Sequence, residues 1–325
     1  MSNLSLKRIA TVLWVLLAVI VIGSWGLDII EFVVQSKQYL IHLLILVCIY
    51  LILAQGFNLN FGVGMLFNLA HVASYAVGAY TTALLATDYE FSFVSCLLAS
   101  MLTAGIFSFL LGAISLKLDS DYFAIGTLAF SSVVSALLIN WKSLTRGVLG
   151  IPGIPRPIIS GHEYLENTEF LFLIGGVAIA VQLFLWCIFN SPFSRALKAQ
   201  AEFSHAASAL GKNVSLVRNY SFFIASAMAG LAGSFFAYYI NYIDPSSFAL
   251  HEMIFVLTIV AIGRPGSFWG CIIACFFLVL LPEPLRFIDI PPSILGPMRQ
   301  LIYAVILFLV VYINRARIFP VQRKV

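Results

Sequence analysis

Residues able to make or break bonds are sparse in this chain and poorly grouped. Of 325 residues, 14 are acidic and 5 are histidine. His42, His162, His205 and His251 share no spacing that would gather a metal ion. Cys48, Cys96, Cys187, Cys271 and Cys275 all fall inside apolar runs, with no CxxC and no histidine near Cys271 or Cys275. They read as buried, inert packing residues. There are no paired carboxylates, no nucleophile motif, and no glycine-rich nucleotide loop followed by Lys-Ser or Lys-Thr. The expectation is no catalytic residue, no metal and no cofactor. Any work drawn from ATP must come from a partner that binds it.

The polar chemistry concentrates between Asn58 and Tyr80, where Asn58, Asn60, Asn68, His71, Ser74, Tyr75 and Tyr80 interrupt an apolar stretch. Polar groups in hydrocarbon face the interior of a bundle or a water-filled path. Asn58, Asn68, His71 and Tyr75 are therefore candidates to line a translocation path. The competing reading is that Asn68 and His71 only hydrogen-bond a neighbouring helix. Ala70, Ser74 and Gly78 recur every four residues, as do Ser226, Gly230 and Ser234, giving two small-residue stripes suited to close helix packing. Asp121 opens a later apolar run, where a carboxylate favours a helix N-terminus; capping is a plainer reading of it than gating.

The elements that must position these residues are membrane helices. The chain is 61% hydrophobic and 10% charged, whereas a soluble domain carries roughly a quarter of its residues as charges. Lipid is its solvent. A net charge of +4, spread along the chain, and only four basic residues from Arg315 to Lys324 argue against nucleic acid. A crossing needs about 20 apolar residues. Candidate runs are 9–26, 39–56, 62–86, 94–116, 122–140, 170–190, 218–242, 249–282 and 298–313. The first follows Lys7 and Arg8 but exceeds a signal-peptide core, so it reads as an uncleaved helix. The eighth is too long for one crossing and is interrupted by Gly263-Arg264-Pro265-Gly266.

Splitting it at Arg264 gives about ten spans with both termini cytoplasmic. The inside then holds twelve basic residues against three acids, Asp119, Asp121 and Glu202, and the outside six basic residues against eleven acids. That asymmetry follows the enrichment of Lys and Arg in cytoplasmic loops. The expected fold is an all-α, polytopic transmembrane helix bundle forming a single domain over 1–325. Its two longer connections are an outer loop at 141–169, rich in Gly and Pro, and an inner segment at 191–217.

The inner segment opens on Ser191-Pro192, a capping serine with proline at the first helical position, and Gly211 is a suitable stop. The alanine-rich stretch between them reads as one helix, too polar to span a membrane. It suits either docking to another protein or lying on the bilayer surface.

The run from Arg195 to Asn213, with Ala206-Ala207 followed by Leu210-Gly211, resembles the cytoplasmic coupling loop of the branched-chain amino-acid ABC permeases of the LivM type. Four more patches resemble the same family in the same order. They are Phe57-Asn58-Leu59 through Gly78-Ala79-Tyr80, Asp121 through Leu128, Leu144 through Pro155, and Gly266-Ser267-Phe268-Trp269-Gly270 with Leu281-Pro282-Glu283. The likeness covers roughly residues 50 to 315. It implies a permease in a bacterial or archaeal inner membrane, moving substrate by alternating access. It also implies four partners: a second homologous permease subunit, two ATP-binding cassette ATPases and an external substrate-binding protein. Arg195, Lys198, Glu202, Ala206, Ala207, Leu210 and Gly211 would then couple to the ATPase. Where the family's loop usually carries acids, this chain has Phe203, Ser204 and Ser208, and Ala201 stands for a basic residue. Docking would therefore rest on shape and apolar contact more than on ion pairs. Leucine, isoleucine and valine are the substrates implied, with urea or short amides as an alternative. An ion-coupled secondary transporter is the reading from another class; it calls for buried acids at mid-membrane, and the acids here fall in loops or near span ends.

Overall fold

The computed structural model describes residues 37–115, 120–159, 161–282 and 292–318. The run at 9–26, Lys7, Arg8, Lys117, Asp119, Glu283 and the tail bases Arg323 and Lys324 lie outside them. The helices are α1 (Lys37–Phe57, continued by a π-helical turn, Asn58–Val63), α2 (His71–Thr87), α3 (Phe93–Ser115) and α4 (Ser120–Asn140). Then come α5 (Asn167–Phe189), α6 (Pro192–Glu202), α7 (Ser204–Ala209), α8 (Val214–Ile240), α9 (Leu250–Ile262), α10 (Phe268–Leu280) and α11 (Pro292–Ile318). Four two-residue strands, β1 (Ile151–Pro152), β2 (Ile158–Ile159), β3 (His162–Glu163) and β4 (Tyr242–Ile243), lie in connections.

Among the described residues, six helices are long and apolar enough to cross a membrane: α1 with its π turn, α4, α5, α8, α9 with the turn before it, and α11. Two more, in α3 and α10, are apolar but shorter. The eighth apolar run does divide at Gly263–Ser267 into α9 and α10, with Arg264 and Gly266 at positive φ of 65° and 81°. The result is an all-α membrane bundle.

Its centre is built from α1, α2, α3 and α8. The two small-residue stripes meet there. Ser74 Oγ donates to Ser226 Oγ at 3.1 Å, and Thr82 Oγ1 donates to Ser234 Oγ at 2.8 Å. Between these rungs a Cβ on Gly78 would fall on the Gly230 backbone. Both rungs join residues 152 apart in sequence, so α2 and α8 run parallel. Ala70 drops out of the stripe because it sits just before the first residue of α2, and Thr82 takes the third place. By contrast Val94, Leu98, Leu102 and Ile106 stand exposed at four-residue spacing along α3, and Phe172, Ile179 and Leu183 stand exposed at seven- and four-residue spacing on α5. Lipid satisfies such apolar faces. Cys187 belongs to this outer surface and is exposed, unlike the other cysteines, so its expected burial is corrected; all five thiols are free.

Two further boundaries differ from the hydropathy pattern. The run at 62–86 is not one helix: residues 58–63 end α1 as a π turn, the chain reverses through Gly64–Ala70, and α2 starts at His71. Gly62 permits this, because a Cβ there would collide with Asn58 Oδ1 and the Gly266 nitrogen. The inner segment is likewise two helices, interrupted at Phe203, whose φ of −152° and ψ of 88° lie outside the helical region. No proline or glycine marks that break.

Candidate functional site

One end of the bundle carries α6 and α7. Ser191 caps α6, its Oγ accepting from the Ser194 amide at 3.4 Å, and Pro192 occupies the first turn. Gly211 closes α7 at a φ of +76°. Ser194, Leu197 and Gln200, three residues apart, form the buried face of α6. Leu197 joins a small hydrophobic cluster with Leu59, Val63 and Leu66 at the end of α1, Phe123, Phe189 and Phe222.

The opposite face is free. Arg195, Lys198, Glu202, Ala206, Leu210 and Gly211 are exposed, Leu210 at 82%. This gathers six of the seven predicted coupling residues on an outward surface with one acid, two bases and an apolar tip. Ala207, the seventh, turns inward and is 3% exposed; it stands seven residues after Gln200, about two helical turns on along the buried side.

Beneath α6 lies a knot of amides that no motif announces. Asn58 Oδ1 accepts from the Gly266 amide at 2.9 Å, and Asn58 Nδ2 donates to the Ser267 carbonyl at 3.2 Å and to Gln55 Oε1 at 3.1 Å. Gln55 Nε2 donates to the Phe268 carbonyl at 2.9 Å. Asn60 Oδ1 accepts from Ser221 Oγ at 2.6 Å. The end of α1 and its π turn thereby hold the α9–α10 connection and α8 through side chains, with Gly62 and Gly266 in close backbone approach beside them.

The remaining path candidates divide. Asn68 Oδ1 accepts from the Ala70 amide at 3.0 Å, and the next amide, Leu69, donates to Thr127 Oγ1 of α4 at 3.1 Å. Asn68 thus shapes the entry to α2. His71 is fully buried with Nε2 3.0 Å from the Leu53 carbonyl. A carbonyl only accepts, so Nε2 carries the proton; Nδ1 is left bare and unpartnered. Tyr75, one turn on, is 1% exposed and packs against Phe236 and Phe248, with no partner for its hydroxyl. Asn58 belongs to the knot and is separate from this pair. Asp121 lies in the first turn of α4.

The other end is closed by the 141–169 loop. β1 pairs antiparallel with β4, Ile151 opposite Ile243. Asn241 Nδ2 donates to the Ile154 carbonyl at 2.7 Å, while the Asn241 carbonyl accepts from Gly153 and Ile154. Arg156 lies over the rings of Phe170 and Tyr239, 5.6 and 5.7 Å from their centroids. Burial pulls this guanidinium below its usual range. Burial pushes the Asp244 carboxyl up, but hydrogen bonds from Ser246 and Ser247 outweigh it, so its pKa falls. Sequence reasoning also passed over Tyr50, which donates to Glu252 at 3.0 Å across 202 residues. Among the described residues no group of His, Cys, Asp or Glu could hold a metal.

A family profile described as branched-chain amino acid transport system, permease component, matches residues 39–311. The high-affinity branched-chain amino acid transport system permease protein LivM of Salmonella typhimurium is 34% identical over 261 residues, 73% of this chain and 61% of the relative. Its Escherichia coli counterpart is 34% identical over 264 residues, 74% of this chain and 62% of that protein. A probable LivM from Methanocaldococcus jannaschii is 26% identical over 70% of this chain and 69% of its own length. The chain thus spans about three fifths of the length of the two enterobacterial relatives. No solved structure matches it.

Proposed function

The chain belongs to the family of branched-chain amino acid transport system permease components, and from that premise we propose that it is the membrane-spanning permease subunit of an ATP-driven ABC importer. The α6–α7 surface carries this reading: a helix pair outside the apolar spans, seated on the bundle by Leu197 and presenting Arg195, Lys198, Glu202, Ala206 and Leu210 outward. That is the form a contact with an ATPase requires. With few charges on it, docking rests on shape and apolar contact.

The assembly comprises this chain, a second homologous permease subunit, two ATP-binding cassette ATPases and an external substrate-binding protein, in a bacterial inner membrane. The chain crosses about ten times with both ends cytoplasmic, which puts α6 inside and the 141–169 loop outside. Closure of the ATPases moves α6 and switches the path from outward to inward access. His71 and Tyr75 border that path. Their buried Nδ1 and hydroxyl, unpartnered in the bundle, are free to meet a polar solute or water in transit. The solutes are branched-chain amino acids, selected mainly by the external binding protein.

Purification of the tagged chain from its native membrane tests the reading. An ATPase subunit is expected to come down with it, and Ala206→Arg, which alters an exposed position, should release that subunit. Absence of any ATPase under gentle detergent conditions would contradict the proposal.

A further inference from the structure

Gln200 is 2% exposed on an otherwise polar, outlying helix. Its Nε2 donates to the Gly64 carbonyl at 3.1 Å, and its Oε1 accepts from Arg218 Nε of α8 at 2.5 Å. The amide has only one orientation that works. Arginine has donors alone and a carbonyl accepts alone, so nitrogen must face Gly64 and oxygen must face Arg218. One side chain therefore joins α6 to both the end of the π turn and the start of α8. From Gly64 the hydrogen bonds continue. The Gly64 amide donates to the Asn60 carbonyl at 3.1 Å, Asn60 holds Ser221, and Asn58 holds Gly266 and Ser267. A π turn is a short over-wide segment, often found at functional sites, and here it sits between α6 and the α9–α10 connection.

We infer that Gln200 is a positioning residue that passes displacement of α6 into the π turn through its bond to Gly64. This rests on the permease reading above. Leu197 also touches this region, and a Cβ on Gly64 would stand 3.2 Å from Leu197 Cδ1. That apolar contact seats α6. The amide bond sets the direction in which a movement of α6 is felt, because a hydrogen bond resists displacement and rotation where a methyl contact slides. Arg218 fixes the amide so that its nitrogen is always presented.

The test uses the native complex, purified through a tag on this chain and reconstituted in liposomes. Gln200→Glu keeps an acceptor for Arg218 and removes the donor to Gly64; Gln200→Ala removes both. Both variants are expected to retain ATPase subunits at the wild-type ratio and to hydrolyse ATP. Substrate moved per ATP should fall about tenfold, within the range of site-to-site couplings. Wild-type transport per ATP in Gln200→Glu would overturn the inference. A lower melting temperature with an unchanged ratio of transport to hydrolysis would also overturn it, marking Gln200 as packing only. If the wild-type chain carries no ATPase, the permease reading itself fails and takes this one with it; intact assembly with normal coupling in the variants sinks the relay alone.

Discussion

Two joints hold this bundle together, and they are made differently. The α2–α8 joint is backbone against backbone: Gly78 on Gly230, framed by the Ser74–Ser226 and Thr82–Ser234 rungs. Nothing there is long enough to yield. The joint beneath α6 is made mainly by the side-chain amides of Asn58, Gln55 and Gln200 reaching backbone groups on other segments and of Asn60 reaching the Ser221 hydroxyl, with Gly62 close against Gly266. Such bonds pass a displacement from one segment to the next, whereas interpenetrating backbones lock two helices into one body. The contrast separates a centre locked backbone to backbone from an end tied mainly by side chains, and that end is where α6 sits.

The contrast breaks most visibly at Gly78. Gly78→Val drives a side chain into the Gly230 backbone, so the cost belongs at or above the top of the ~1–3 kcal/mol range for overpacking. Loss of folded protein in detergent, followed by thermal melting, is the expected result. Asn58→Leu should cost less in total but act locally. It leaves the part-buried Gly266 amide and Ser267 carbonyl without their partner, about 1 kcal/mol each, the low end of the cost of an unsatisfied group. Hydrogen exchange should rise across 263–268 while residues 72–83 of α2 keep their protection. Equal loss in both regions would mean that the two joints are one cooperative unit.

A Ser74→Ala, Ser226→Ala double-mutant cycle sharpens the first joint. Hydroxyl pairs between membrane helices couple by about 0.6 kcal/mol and at most about 1.7. The smallest effect is expected far from both joints, at the Arg146–Asp88 ion pair, 2.9 Å apart and about two-fifths exposed on each side. Arg146→Ala should change stability by about 0–1 kcal/mol, and less in high salt.

The rigid joint was legible in the sequence because small residues at four-residue spacing have few other uses in a membrane helix. Only its register needed the structure: Ala70 precedes α2, and Thr82 supplies the last rung. The amide joint was not legible. Asn58 and Asn60 stand out as polar residues, but hydropathy cannot separate a π turn from the start of the next helix. Gln200 is hidden for the opposite reason: a glutamine in a polar helix attracts no notice until Ser194 and Leu197 are seen sharing its face. The β1–β4 pair joins residues about ninety apart, a pairing that local spacing does not encode. Of the residues expected to face a partner, Arg195, Lys198, Glu202, Ala206, Leu210 and Gly211 are exposed and Ala207 is buried, and no residue type in the segment marks the break at Phe203.

In the proposed transporter, movement of solute is driven by ATP hydrolysed on partners docked at α6. Reconstituted native complex, loaded with ATP on the α6 side and given labelled leucine with its binding protein on the other, tests it directly. Leucine transfer is expected to require ATP and to persist when proton and sodium gradients are collapsed. Transfer without ATP that follows either gradient would contradict it and make the chain an ion-coupled carrier.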